Sequence, residues 1–249
     1  MKFINLYRLY YENFDHQMDK NGEYYILQKL ADADLTTFFD VGANVGDWSK
    51  TVLGLYPDGT DVYAFEIAPE TLAKLQSTAG DRIKINAFGL SDEDGVQEIL
   101  FYRDKDTVST LVTDNAGAIH PEAFERVSVP VRSGDSFCRE QGIESVDFLK
   151  IDTEGAENRV LAGFSKMIAA GKIVIIQFEY GMANIYSRFL LKDFYDLLGA
   201  EYAIGKLYPS GVDFKPYSPR DENFSSPNFL AMRRDRSDLI ERVKLRHAH

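Results

Sequence analysis

Apolar positions along the chain follow two rhythms. Phe3, Tyr7, Tyr10 and Phe14 recur at helical spacing, which predicts an amphipathic helix over residues 3–15. The Asn21-Gly22 break separates it from a second helix over residues 23–33. The aromatic stripe packs this segment onto the main domain; a dimer contact or a lid over a site is the alternative. From Thr37 the rhythm changes to short apolar runs alternating with helical stretches. Strands are expected at 37–41, 61–65, 82–88, 147–151 and 172–178, with helices at 48–55, 69–78 and 156–163 between them. Near-continuous apolar strands alternating with helices imply a mainly parallel sheet covered on both faces, joined by right-handed crossovers.

Two regions break this alternation. Residues 96–146 are too many for one crossover, and the runs VQEILFYR and RVSVPVRS within them predict an extra strand pair. The polar segment 104–124 between those runs is expected to be a mobile loop. After a helix over 188–198 come a strand over 202–208, a loop rich in Pro and Ser, and a last strand over 228–232. The expected organisation is a helical segment (1–35), an α/β domain (36–234) with an insertion at 96–133, and a tail (235–249) that forms a solvated helix.

Composition narrows the function classes. A chain of 249 residues that is 45% hydrophobic can bury one sizeable core. Its net charge of −11 argues against nucleic acid, whose phosphates need a basic face. A single cysteine, Cys138, leaves no internal disulfide and fits a reducing compartment. No run approaches the roughly 18 apolar residues of a membrane span. The N-terminus, MKFINLYRLYYENFDHQ, is too polar and acidic for a signal peptide, so a cytoplasmic protein is expected.

In an open parallel sheet, ligands sit at the carboxyl ends of the strands where strand order reverses. The first such end reads FFDVGANVGDWS. Gly42, Asn44 and Gly46 allow a sharp turn and close approach of a ligand. The spacing departs from the dinucleotide fingerprint G-x-G-x-x-G, because Asp47 stands where the third glycine would be. Asp40 and Asp47 flank the loop, which suits an ammonium and a sulfonium, as in S-adenosylmethionine (SAM), better than a diphosphate. The second end, VYAFEIAPE, places Glu66 and Ile67 at a strand tip, where a carboxylate can accept both ribose hydroxyls. The third, NAFGLSDEDG, offers Ser91 and Asp92 toward an adenine, although Asp92 to Gly95 equally suits a tight turn. The fourth, FLKIDTEGAENRVLAGF, projects Asp152 and Glu154; Glu157, in the first helical turn, is accounted for by the helix dipole.

These segments resemble the FkbM-type methyltransferases over about residues 37–233, most specifically in KIDTEGAE, with weaker echoes in IQFEY and NFLAMRR. The resemblance implies a Rossmann-like SAM-dependent methyltransferase fold: a seven-stranded, mostly parallel sheet whose last strand is antiparallel, here with N-terminal helices added. It implies methylation of a hydroxyl on a sugar, glycolipid, polysaccharide or secondary metabolite. It places the methionine end of SAM near Asp40, Gly42, Asn44 and Gly46, ribose on Glu66, adenine near Ser91, and Asp152 beside the methyl group.

A hydroxyl is a poor nucleophile at neutral pH and gains from a base that takes its proton. The candidates are Asp152, Glu154, Glu179 at the end of the fifth strand, and His120 in the 104–124 segment, where a lone histidine is more often a surface residue. A divalent metal shared by Asp152 and Glu179 is an alternative, but no histidine cluster or ligand motif supports one. The expected partner is a small-molecule or glycan acceptor, and a homodimer stays open. The rival readings are an NAD- or nucleotide-sugar-binding enzyme and a SAM-binding module without catalysis.

Overall fold

A computed structural model describes residues 13, 15–102, 109–110 and 124–246. Most of the 3–15 helix with its aromatic stripe, and the 104–123 segment with His120 apart from residues 109–110, lie outside the described residues. Two short helices, α1 (Met18–Asn21) and α2 (Glu23–Leu30), lead into β1 (Thr37–Val41), α3 (Asp47–Leu55), β2 (Asp61–Phe65), α4 (Pro69–Thr78) and β3 (Ile83–Asn86). Next come β4 (Gly89–Ser91), β5 (Gly95–Tyr102), β6 (Ser109–Thr110), β7 (Phe124–Ser133) and α5 (Gly134–Gln141). The chain continues through β8 (Val146–Ile151), α6 (Glu157–Gly163), α7 (Ser165–Ala169), β9 (Ile173–Gly181), α8 (Ala183–Ser187) and α9 (Leu191–Leu198). It ends in β10 (Tyr202–Tyr208), β11 (Gly211–Phe214), β12 (Ser225–Arg233) and α10 (Ser237–Val243).

The main sheet has the order β11-β10-β12-β9-β8-β1-β2-β3. Strands β3, β2, β1, β8 and β9 are parallel, and β12 inserts antiparallel between β9 and β10. The seven expected strands are present with the last one antiparallel, but the sheet has an eighth. Strand β11 pairs antiparallel with β10 through Leu207–Val212 and extends the edge. Its four residues open the stretch expected to be a Pro/Ser-rich loop, and so short a run carries little periodic signal. The extra strand pair forms as expected: β5 and β7 are antiparallel in a second sheet of order β4-β7-β5-β6.

Strand alternation splits the core in two. Phe39, Val41, Leu149, Ile151, Ile176 and Phe178 point to one face of the sheet. Phe38, Phe148, Ile175 and Leu230 point to the other, against Ile26, Leu27 and Leu30 of α2 and against Trp48. Helix α2 is therefore part of the packed body. The tail is less solvated than expected, since Leu239 and Val243 of α10 are fully buried on the same face.

The chain runs outward from β1 through β2 to β3 and then returns to β8 on the opposite side of β1. That reversal opens a crevice over the carboxyl ends of β1 and β8.

Candidate active site

At this reversal lies a cavity of about 600 Å³, a size suited to a nucleoside-sized ligand with a second molecule beside it. The loop after β1 forms its floor. Gly42 has φ +80°, and a Cβ there would stand 1.9 Å from the Asp152 carbonyl oxygen, so only glycine lets the two strand ends meet. The Asp152 amide donates to the Val41 carbonyl at 2.9 Å, and the amides of Gly42 and Ala43 donate to the Phe65 carbonyl at 3.0 Å. Three strand ends are thereby tied together.

Glu66 extends from the end of β2 into the cavity. One carboxylate oxygen accepts the Asn44 amide at 2.8 Å, and the other accepts the amides of Ile67 and Ala68 at 2.8 Å each. These bonds fix the carboxylate and take three of its roughly four lone-pair positions, leaving one on the oxygen that accepts the Asn44 amide for a ligand hydroxyl. Burial raises the Glu66 pKa, the three amides oppose that rise, and the nearby Asp40 adds to it.

The acids at the end of β8 are held by a tight turn. Glu157 is 1% exposed, and one of its oxygens accepts from the Thr153 amide (3.1 Å), the Thr153 hydroxyl (3.0 Å) and the Gly155 amide (3.1 Å). It clamps the turn, a role beyond the dipole explanation given by its position in sequence. Glu154 sits within that turn at φ +52°, a left-handed conformation uncommon for a non-glycine residue. Carboxylate oxygens of Asp152, Glu154 and Glu179 lie within 4.8 Å of one another. Such a set has the geometry to hold a divalent cation, but Asp152 already contacts a buried ammonium: Lys150 Nζ lies 3.1 Å from its Oδ2. Crowding shows in the acidities. Burial, then Asp152 and Glu157, push the Glu154 carboxyl up to about 7. Burial, then Asp152, Glu154 and Glu157, raise Glu179 well above the usual carboxylate range.

Gly42, Asn44, Glu66, Ile67, Asp152, Glu154 and Glu179 all line this one cavity. Four other expected contacts do not. Asp40 is fully buried beneath the loop, because it shares a strand face with Phe38; it accepts the Ser49 hydroxyl at 2.7 Å. Gly46, at φ +81°, precedes α3, and a Cβ there would strike Leu75. Ser91 is buried, with its hydroxyl 2.9 Å from Asp92 Oδ1 and 3.1 Å from Gln97 Oε1, and Asp92 starts the exposed turn into β5. Gly89 and Leu90 present the third strand-end segment to the cavity instead.

The sequence reading missed a whole wall. Asp15, His16, Asn21 and Glu23 come from the N-terminal segment, and Ser226 and Asn228 from β12. Gln177 joins the two sources by donating to Glu23 Oε1 at 2.6 Å and to Asn228 Oδ1 at 3.2 Å. The available signal was Gln177 itself, an amide inside the apolar run IVIIQF that needs a buried partner.

Residues 40–203 match the family described as the methyltransferase FkbM domain. The 2-O-methyltransferase NoeI of Sinorhizobium fredii is 29% identical over 188 residues, covering 70% of this chain and 75% of that protein. The 31-O-demethyl-FK506 methyltransferase FkbM of Streptomyces tacrolimicus is 32% identical over 151 residues, covering 50% of this chain and 58% of that protein. A solved methyltransferase FkbM from Methylobacillus flagellatus KT has a TM-score of 0.48 at 19% identity, covering 80% of this chain and 44% of that one.

Proposed function

Because this chain belongs to the FkbM methyltransferase family, we propose that it methylates a hydroxyl oxygen of a sugar or glycan-like acceptor, with SAM as methyl donor and Asp152 as proton acceptor. Family membership favours this over the NAD-dependent reading, as does Asp47 in place of the third fingerprint glycine. The observation that carries the proposal is the convergence of the Gly42–Asn44 loop, Glu66 and Asp152 on one cavity.

The residues present fit SAM. The bare backbone at Gly42 is a cradle that a Cβ would fill. Glu66 has the position, the fixed orientation and one remaining acceptor site to hold a ribose hydroxyl, with Ile67, Ala68 and Leu90 beside it for the adenine. When bound, SAM supplies a methyl group already activated for displacement. The protein's main task is then alignment of the acceptor and removal of its proton. Asp152 lines the cavity with its side chain 39% exposed, which lets it receive the hydroxyl proton as the new C–O bond forms. Glu154 and Glu179, whose carboxyls are held in the protonated form to higher pH, can donate hydrogen bonds to acceptor oxygens.

The acceptor class follows from the wall opposite Glu66. Asn21, Glu23, Glu179, Ser226 and Asn228 offer paired donors and acceptors of the kind polyols require, and no lysine or arginine is among the described residues that line the cavity. A phosphate-rich acceptor would find no lysine or arginine among those described residues to balance it. One relative is a 2-O-methyltransferase by name and another a 31-O-demethyl-FK506 methyltransferase, which supports oxygen as the target atom. The test is transfer of tritium from methyl-labelled SAM to a panel of monosaccharides, aryl glycosides, oligosaccharides, catechols and nucleotides. Labelled methyl ethers of glycosides are expected. Transfer confined to catechols or nucleotides would defeat the acceptor assignment, and full activity of D152N would defeat the base assignment.

A further inference from the structure

Lys150 lies within the apolar run of β8 and is 6% exposed. A buried ammonium is unfavourable unless it is paired. Its Nζ lies 3.1 Å from Asp152 Oδ2 at the cavity and 3.5 Å from Asp40 Oδ1 beneath it. Strand register makes this a built layer. Asp40 on β1 is opposite Lys150, and Lys150 is opposite Gln177 on β9. Gln177 continues the layer to Glu23 and Asn228. Asp40 is anchored on its far side by the Ser49 hydroxyl, while its Oδ1, with no hydrogen-bond partner among the described residues, lies 3.5 Å from the ammonium. Burial works to lower the Lys150 pKa; the carboxylates of Asp152, Asp40 and Glu23 overcome it and raise it, so the cation persists across the physiological range.

This arrangement leaves Asp152 with one fixed oxygen in a cavity crowded by other acids. We propose that Lys150 is a positioning residue for methyl transfer: pinned by Asp40 from below, its ammonium orients the Asp152 carboxylate and supplies, from within the chain, the positive charge a metal would otherwise bring. The inference rests on the assignment of Asp152 as proton acceptor. Among the described residues, Lys150 on β8 interacts with Asp152, Asp40 on β1 and Glu23 on α2, Glu154 and Glu157 after β8 and Glu179 on β9 crowd the same acids, and Asp15, His16 and Glu66 line the same cavity. Lys150 is the only lysine or arginine among these groups.

The test compares wild type, K150M, K150Q, K150R and D152N as full chains. S-adenosylhomocysteine binding is followed by calorimetry, and tritium transfer from SAM to the glycoside panel is followed from pH 5.5 to 9. The Gly42–Asn44 loop is held by backbone bonds that do not involve Lys150. Binding in K150M and K150Q is therefore expected to stay within about threefold of wild type. Their kcat is expected to fall at least tenfold with an unchanged KM for SAM. K150R, which keeps the charge, should recover most of the rate. K150Q keeps a donor toward Asp152 and replaces K150M if the latter fails to fold. Crystal structures of K150Q and wild type with S-adenosylhomocysteine supply a reading that needs no acceptor: the Asp152 carboxylate is expected to move by more than about 1 Å. A folded K150Q with wild-type kcat, or with Asp152 unmoved, overturns the inference. If D152N also keeps full activity, the base assignment has failed instead; if D152N is inactive while K150Q is normal, only the role of Lys150 falls.

Discussion

At the scale of single residues, Glu154 combines two unfavourable features. It occupies a left-handed conformation at φ +52°, and its carboxyl is pushed up to about 7 by burial and by Asp152 and Glu157. Its ordinary value is 4.5, so between pH 4.5 and about 7 the folded chain holds more protons than the unfolded chain. Stability from this group therefore falls as pH rises through that window and is flat above it. The full effect is of order 2 kcal/mol, or roughly 4–8 °C of melting temperature for a chain this size. E154Q, which stays neutral, should melt several degrees above wild type at pH 8 and close to it at pH 5. Equal offsets at the two pH values in thermal melts would refute the linkage. Gly42 is the opposite case, a residue defined by what it lacks. G42A would place a methyl 1.9 Å from the Asp152 carbonyl in a backbone region that disfavours alanine. Loss of S-adenosylhomocysteine binding by at least 100-fold, or loss of the folded state, is expected by calorimetry and melting.

At the scale of elements, the cavity depends on a polar layer as much as on strand ends. Glu23 at the start of α2 accepts the Gln177 amide at 2.6 Å and the Asn21 amide at 2.8 Å. E23A would leave both amides buried without that acceptor, at a cost of about 2 kcal/mol. A fall of roughly 4–8 °C in melting temperature is expected; a change under 1 °C would mean that other partners replace Glu23. This layer explains which parts of the fold the sequence made legible. The expected bounds of strands β1, β2 and β10 match those observed because each is a short, largely apolar run ended by glycine, charge or proline. The tips of β1, β2 and β8 were equally plain, since Asn44, Glu66 and Asp152 stand just beyond those runs. Expected contacts fall outside the cavity lining where one periodicity serves two purposes. Asp40 looks like a strand-tip residue, but the alternation that buries Phe38 buries it too. Ser91 belongs to a strand of the second sheet, which turns it away from the crevice. Lys150 and Gln177 passed as ordinary strand positions because register across β1, β8 and β9, which unites them, is not written in any one segment.

At the scale of the whole molecule, the cavity has two walls with different origins. The wall carrying Gly42, Asn44, Glu66 and Leu90 lies within residues 40–203, the stretch shared with the FkbM family. The facing wall takes Asp15, His16, Asn21 and Glu23 from before that stretch and Ser226 and Asn228 from after it. The shared stretch also contains Asp152, so under the proposed function donor binding and the reacting centre come from one source and much of the opposite face from another. A family can then keep its methyl-transfer chemistry while its flanking segments change what is held against it. In this chain the flanking wall offers amides, a hydroxyl, a histidine and carboxylates, and its fixed point is Asn228, whose side-chain oxygen accepts from Gln177 at 3.2 Å. N228A removes an amide from the acceptor wall without touching the Gly42 loop or Glu66. Its S-adenosylhomocysteine affinity should stay within about twofold of wild type, while KM for a glycoside acceptor rises about tenfold or more, the loss expected for one or two hydrogen bonds to a neutral ligand. Calorimetry and initial-rate kinetics on the same preparation separate the two quantities. Parallel losses in donor and acceptor binding would show that the walls act as one unit, and an unchanged acceptor KM would move the acceptor away from β12.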